Sequence, residues 1–345
     1  MSNPYLLTFG EEPIEHIDRL KERQIVLDDF LSPVPAQQVY MVTGVTGSGK
    51  TVFMTDISQT LKKNDKNWII VDLNPTAPDL IKEAGAILSS ENELARIFQN
   101  ARLNLSLFGF GLEVSNSVPI SDAQTALEKM LSSLAGKNKK ILFTIDEVTG
   151  TSAIKTFTFA FQQFLRKKLP VYLLMTGLYK NISDLQNEDN LTFLYRAPKI
   201  ILTPLNIGAM AANYEKNIGL SAEESLSMAK LTKGYSFAFQ VLGHLLYDAD
   251  GDYSQLIPQF RQHLEDMSYE KIWSELSDKD REIMTALAQT ESGKNSDIMK
   301  ITGLKYNEFN PYRRRLIQKG VVDGSRRGYL QFTLPFFKEF ILSVI

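Results

Sequence analysis

The sequence contains no cysteine. That excludes disulfides, thiolate metal sites and cysteine nucleophiles together. Histidine is almost as scarce: His16, His244 and His263 are scattered without ligand-like spacing and read as surface or half-buried residues rather than metal ligands. There is no apolar run of about 18 residues or more that could span a bilayer. The opening Met1-Ser2-Asn3-Pro4-Tyr5 lacks the basic-then-apolar order of a secretory signal. These absences lead to the expectation of a cytoplasmic protein with no membrane partner. The net charge of −2 argues neither for nor against an anionic partner.

What is present supports a globular chain. Apolar residues at 43% and charged residues at 23% are enough to build a sizeable core, and 345 residues suit two or three compact units. The charge is unevenly placed. From Lys271 to the end, 13 Lys and Arg face 9 Asp and Glu, so a basic C-terminal module follows an acidic body.

Five short apolar, β-branched runs read as buried strands: 38–44 (QVYMVTG), 68–73 (WIIVDL), 141–146 (ILFTID), 171–176 (VYLLMT) and 199–203 (KIILT). Helical periods lie between them at 51–62, 78–84, 91–99 and 156–165. Strand–helix alternation implies a parallel sheet covered on both faces. The segment 103–119 interrupts the rhythm as a possible inserted hairpin to which no role is assigned. After Pro204, helical patterns occupy 207–217, 221–231 and 237–247, with Ser221 and Glu224 forming a capping box. A polar break at 248–253 (DADGDY) follows. The expected units are 1–205, 206–268 and 269–345.

Gly44-Val45-Thr46-Gly47-Ser48-Gly49-Lys50-Thr51 matches the P-loop pattern in full. Glycines let the backbone wrap so that N–H groups point at a β-phosphate, and the helix that follows adds its positive N-terminus. Lys50 is expected on the β/γ oxygens and the Thr51 hydroxyl on Mg²⁺. The strand 141–146 delivers Asp146, which can hold magnesium through water. Glu147 comes next and can polarise an attacking water as general base. Adjacent carboxylates in this place favour hydrolysis over phosphoryl transfer. Thr176 ends the following strand, where it orients the attacking water, touches the γ-phosphate, or caps a turn. Arg196, just before the fifth strand, either reaches the γ-phosphate of a neighbouring subunit or makes a surface ion pair.

The strand-ending P-loop, the Ile145-Asp146-Glu147 carboxylates, Thr176 and Arg196 together resemble AAA+ and STAND-type ATPases, with the nearest likeness to origin-recognition-like and archaeal-type ATPases. The resemblance implies a helical lid, a C-terminal winged helix, and ATP rather than GTP with Mg²⁺ as cofactor. Asn3-Pro4-Tyr5 with Phe9-Gly10 looks like a leader that packs near the adenine. Lys233-Gly234-Tyr235-Ser236 resembles the family's glycine-tyrosine-proline lid motif, but Ser236 replaces the proline and no arginine is offered for nucleotide sensing.

In the C-terminal module, helices are expected from Ser277 to about Ala288, at 296–301 and at 311–319, with Gly320 ending the third. Val321-Val322, a turn at 323–328 and 329–334 read as a hairpin. Three helices and a basic-tipped hairpin outline a winged helix. In one reading Arg313, Arg314 or Arg315 meets phosphates or base edges of duplex DNA, and Arg326 and Arg327 touch backbone. In the other the module docks a protein, as in a signalling ATPase, and the arginines form a solvated face. Three consecutive arginines cannot all face one way on a helix, so at least one is expected to pair internally. The leading function is a Mg-dependent ATPase switch that engages DNA; self-association stays open.

Overall fold

A computed structural model of the chain describes residues 3–7, 15–101, 103, 122–249 and 256–345. The Phe9-Gly10 pair, residues 104–119 of the interrupting segment, and residues 250–253 of the polar break lie outside the described residues. The chain divides into two compact units. One comprises Leu20–Thr43 and Lys50–Ile200; the other comprises Met1–Arg19, Gly44–Gly49 and Ile201–Ile345.

The first unit is built on β1 (Val39–Thr43), β2 (Trp68–Leu73), β3 (Lys140–Ile145), β4 (Val171–Gly177) and β5 (Lys199–Ile201), in the order β2-β3-β4-β1-β5. The pairs β1–β4, β2–β3 and β3–β4 are parallel. Central β1 and β4 are buried at every position, as unbroken apolar runs require in a sheet covered on both sides, whereas edge strand β2 is partly open. The order places β4 between the strand that leads into the P-loop and β3, so β4 separates those two strands.

The helices are α1 (Leu20–Leu31), α2 (Lys50–Asn64), α3 (Leu80–Ser90), α4 (Asn92–Asn100), α5 (Ala123–Ala135), α6 (Ser152–Arg166), α7 (Tyr179–Gln186) and α8 (Thr192–Tyr195). Strand alternation sends Tyr172 and Leu173 to opposite faces, and the register pairs Phe143 with Leu173. On one face Tyr172 meets Phe30 of α1 with ring centroids 5.0 Å apart. On the other, Phe143 meets Phe157 of α6 at 5.3 Å. Each such fully buried ring contributes about 1.5–3 kcal/mol of burial energy.

Four helices of this unit, α1, α5, α7 and α8, go beyond the sequence expectation. α5 is capped by Asp122 and buries Ala126, Leu127, Met130, Leu131 and Leu134. α1 buries Val26, Leu27 and Phe30 but exposes Leu20 and Ile25, and these exposed apolar residues blur its period.

After Ile201 the second unit continues with α9 (Ile207–Ile218), α10 (Ala222–Leu231) and α11 (Ser236–Asp248), close to the helical periods at 207–217, 221–231 and 237–247. The Ser221–Glu224 capping box is formed. α12 (Leu256–Leu264), a π-helical turn (Glu265–Tyr269) and α13 (Glu270–Ser274) follow without a break, so helical backbone runs across position 268. Next come α14 (Asp278–Gln289), α15 (Asn295–Thr302) and α16 (Tyr306–Lys319), then β6 (Val322–Asp323) paired antiparallel with β7 (Gln331–Phe332), and α17 (Phe337–Ser343).

Two details differ from expectation. α16 begins at Tyr306 rather than at 311, because Glu308 reaches back to the Lys305 N–H at 2.9 Å and starts the helix early, leaving Pro311 inside it. The hairpin ladder is also shorter than 329–334. Tyr329 bridges Lys294 instead of crossing the hairpin, and the Leu330 N–H donates to Gly293 O at 2.8 Å. Among the described residues, no helix is long and apolar enough to cross a membrane.

Candidate functional site

In the sheet unit, three side chains converge at the strand ends. Thr51, in the first turn of α2, donates its hydroxyl to Asp146 Oδ2 at 2.6 Å. Thr176 of β4 donates to Asp146 Oδ1. The strand order makes this possible, since β4 sits beside β3 and carries Thr176 alongside its end. Glu147 adopts a left-handed backbone with φ of 53°. That geometry turns its N–H toward Asp146 Oδ1 at 3.1 Å and Thr176 Oγ1 at 3.2 Å, while its side chain remains exposed. A non-glycine residue in this region is strained by about 1–3 kcal/mol, and such strain concentrates at working sites. The Val148 N–H on Thr176 O at 2.8 Å locks the turn from below. Lys50 begins α2 and is buried. Arg196 caps α8, is exposed, and forms no ion pair among the described residues.

In the other unit lies the loop Gly44–Gly49. Gly47 and Gly49 have φ of 74° and 86°, the left-handed conformation that glycine adopts without penalty. The Ser48 N–H closes a turn onto Val45 O at 3.1 Å. Ser48 Oγ is buried and has no hydrogen-bond partner. A β-carbon at Gly44 would lie 2.4 Å from it, so Gly44 makes room for that hydroxyl. A buried hydroxyl left without a partner is costly, and a phosphate oxygen would satisfy it.

Three consecutive carbonyls of this loop accept hydrogen bonds from other segments. Tyr235 OH donates to Thr46 O at 2.7 Å, the Phe237 N–H to Gly47 O at 3.0 Å, and Ser236 Oγ to Ser48 O at 3.0 Å. Arg19 Nη2 also donates to Ser48 O, at 2.9 Å. Sequence reasoning missed Arg19; an arginine at the foot of the leader carries no motif of its own. The leader does not stand open. Tyr5 is buried against Tyr214 and Phe239, and its hydroxyl donates to Asn213 Oδ1 at 2.7 Å.

The donor set fits magnesium. Oxygen ligands suit a hard cation, and a single carboxylate with a hydroxyl is the sparse protein share typical of Mg²⁺ bound mainly through phosphate and water. Among the described residues, no group of three or more His, Asp or Glu forms a self-sufficient metal cage.

The arginines of the C-terminal module divide in two. Arg315 binds Asp280 Oδ1 through Nη2 at 2.6 Å and Nε at 3.0 Å, and Lys319 Nζ binds the other oxygen at 3.1 Å. Asp280 is fully buried. Burial alone would raise its carboxyl, but the hydrogen bonds and charges of Arg315 and Lys319 hold it below the ordinary carboxylate value. Arg313 donates to Gly324 O at 3.0 Å and braces the turn between β6 and β7. Arg314, Arg326 and Arg327 are exposed, with Arg326 stacked 3.9 Å over the Tyr329 ring.

Residues 266–341 match a family described as a domain of unknown function (DUF8462). No curated protein matches the sequence. Among solved structures, the chain is similar to a Walker-type ATPase of Pyrococcus abyssi, with 13% identity over 95% of this chain and 96% of that one and a TM-score of 0.65. Weaker likenesses are to Cdc6p of Pyrobaculum aerophilum (14% identity, 98% and 96% coverage, TM-score 0.47) and to the Orc1 protein of Aeropyrum pernix in complex with DNA (12%, 98% and 95%, 0.43). The similarity to the Pyrococcus abyssi structure shows the fold: a parallel five-stranded sheet with helices on both faces, followed by a helical region.

Proposed function

We propose that the protein is an ATP-dependent switch that binds Mg-ATP on residues 44–51, hydrolyses it, and uses the nucleotide state to control engagement of duplex DNA by a C-terminal winged helix. The observation that carries the reading is the Thr51–Asp146–Thr176 arrangement beside the left-handed Glu147. Glycine loops occur in many proteins, but two threonine hydroxyls on one strand-end carboxylate, followed directly by an exposed glutamate, support magnesium-assisted hydrolysis.

Thr51 and Asp146 would hold magnesium, which supplies charge neutralisation on the phosphate oxygens. Lys50 pairs with the β/γ oxygens. Glu147 accepts the proton of the attacking water as its oxygen bonds to the γ-phosphorus and the bond to the ADP oxygen breaks. Thr176 keeps Asp146 in place and accepts from the Glu147 N–H, which holds the Glu147 backbone at the strand end. Arg196, exposed and unpaired, suits a role toward a second copy of the chain.

The DNA reading draws on Arg314, Arg326 and Arg327, which are exposed cations on the third helix and the hairpin turn. Arg313 and Arg315 are occupied inside the module and are less suited to DNA than their neighbours. Phosphate contacts release counterions, so log affinity should fall linearly with log salt, by about 0.9 per contact.

The experiment is ATP binding by calorimetry and duplex binding at two salt concentrations, each with wild type, Lys50→Ala and Arg326→Ala/Arg327→Ala. Lys50→Ala is expected to lose ATP binding while remaining folded; unchanged affinity would refute the nucleotide site. The double arginine variant is expected to bind all duplexes more weakly with a flatter salt slope. A wild-type chain with no duplex affinity at low salt would instead assign the module to a protein partner.

A further inference from the structure

We infer that Tyr235 is a positioning residue for the phosphate loop, and that the turn at 233–235 ties this loop to the C-terminal hairpin so that phosphate binding and hairpin position are coupled. The inference rests on nucleotide binding at residues 44–51 as proposed above.

The turn is unusual in its backbone. Lys233 and Gly234 are successive left-handed residues, with φ of 51° and 78°. A β-carbon at Gly234 would lie 2.7 Å from Leu205 O and 2.8 Å from Pro204 Cβ, so a larger residue does not fit. The Gly234 carbonyl accepts from the Leu205 N–H at 2.8 Å and fixes the turn from the other side. The consequence is that residues 233 and 235, two apart in sequence, serve two different structures.

Tyr235 serves the phosphate loop. Thr46 O can only accept, so the Tyr235 proton goes there, and the Ser268 hydroxyl donates to the Tyr235 oxygen at 2.6 Å. Tyr235 also closes the outer side of Gly47, where a β-carbon would lie 2.4 Å from its hydroxyl. With Ser236 Oγ on Ser48 O and the Phe237 N–H on Gly47 O, three consecutive loop carbonyls are held from outside by one short segment. An anion on the inner N–H groups polarises the same peptide units, and hydrogen bonds in series strengthen one another.

Lys233 serves the hairpin. Its ammonium donates to Phe332 O at 3.2 Å and Leu334 O at 3.4 Å, at the end of β7 and just beyond it. A second connection runs in parallel. Ser268 lies in the π-helical turn, and its neighbour Tyr269 donates its hydroxyl to Pro335 O. π-helical turns inside helices are rare and concentrate at functional positions. Both connections leave the P-loop through the lid motif and end on residues 332–335.

The test uses the full chain and two readouts: ATP affinity, and amide hydrogen exchange over residues 329–336 with and without Mg-ATP. In wild type, ATP is expected to slow exchange there. Tyr235→Phe keeps the ring and removes the hydroxyl, and is expected to weaken ATP by about tenfold, the scale of one buried hydrogen bond, and to abolish the effect on the hairpin. Lys233→Met lies at the surface, so folding is not at risk. It is expected to keep wild-type ATP affinity yet lose the ATP effect on exchange. Wild-type affinity in Tyr235→Phe would overturn the positioning role, and a retained ATP effect in Lys233→Met would overturn the coupling. Wild type that binds ATP with no change in the hairpin overturns this inference alone; wild type that binds no ATP overturns the nucleotide site as well.

Discussion

Asp146 and Asp280 are both aspartates held by two side chains, and they could hardly be built more differently. Asp146 is half-buried and receives two threonine hydroxyls, from Thr51 and Thr176. Asp280 is fully buried and receives two cations, Arg315 and Lys319. Hydroxyls are neutral and can turn their lone pairs toward an incoming metal, so the carboxylate keeps its charge for something else. Two cations leave nothing over. A carboxylate set among hydroxyls is poised to bind, and one set among cations is a staple. Here the staple joins α14 to α16 and holds the C-terminal module together.

The comparison breaks most visibly when each carboxylate is removed. Asp280→Ala leaves Arg315 and Lys319 facing a buried gap, and stripping one partner from a buried ion pair costs about 3–5 kcal/mol. The C-terminal module is expected to unfold at markedly lower denaturant, as read by circular dichroism. Asp146→Asn should leave the unfolding curve nearly unchanged while weakening the magnesium dependence of ATP binding. A large stability loss in Asp146→Asn, or none in Asp280→Ala, would reverse the two roles.

A second prediction sharpens the active side. Glu147→Gln keeps the size and the left-handed backbone but removes the proton acceptor, so turnover is expected to fall by about 100-fold or more with ATP affinity preserved. Equal turnover in a phosphate-release assay would move the base elsewhere.

The smallest effect concerns acid. The Asp280 carboxyl is lowered in the folded chain, so its contribution to stability is present above the unfolded carboxylate value and is lost as pH falls through the folded one. Thermal melts of wild type are expected to show the C-terminal module weakening below about pH 4, the ordinary carboxylate range. In Arg315→Met, which retains only Lys319 as cationic partner, the loss is expected to be smaller and to be complete at higher pH. Identical acid profiles would show that Arg315 does not set the titration.

Much of this fold was legible because its signals are local. The five apolar runs, the helical periods and the Ser221 capping box depend on residues near one another in sequence, and they fell within a few positions of the observed elements. The early start of α16 at Tyr306 is local as well, in the spacing of Lys305 and Glu308, but Pro311 carries the stronger signal for a first helical turn. Arg19 was invisible because its partners, Ser48 and Ser236, are 29 and 217 residues away. Lys233 had no signal at all: nothing in its neighbourhood says that its ammonium will meet the carbonyls of residues 332 and 334.

The sequence by itself determined the glycine pattern on which the proposed phosphate chemistry rests. A P-loop is a contiguous motif whose glycines, lysine and threonine act through backbone geometry that eight neighbouring residues can encode. It also required that some of Arg313, Arg314 and Arg315 turn inward, since a helix cannot present three successive residues on one face. Only the tertiary structure decided which ones did. Arg315 went to a buried aspartate 35 residues away and Arg313 to the carbonyl of Gly324, leaving Arg314 outside. The same is true of the lid motif, whose tyrosine found the P-loop carbonyl 189 residues away. Local spacing fixes what a side chain can do, but the partner that uses it is chosen by packing between segments far apart in the chain.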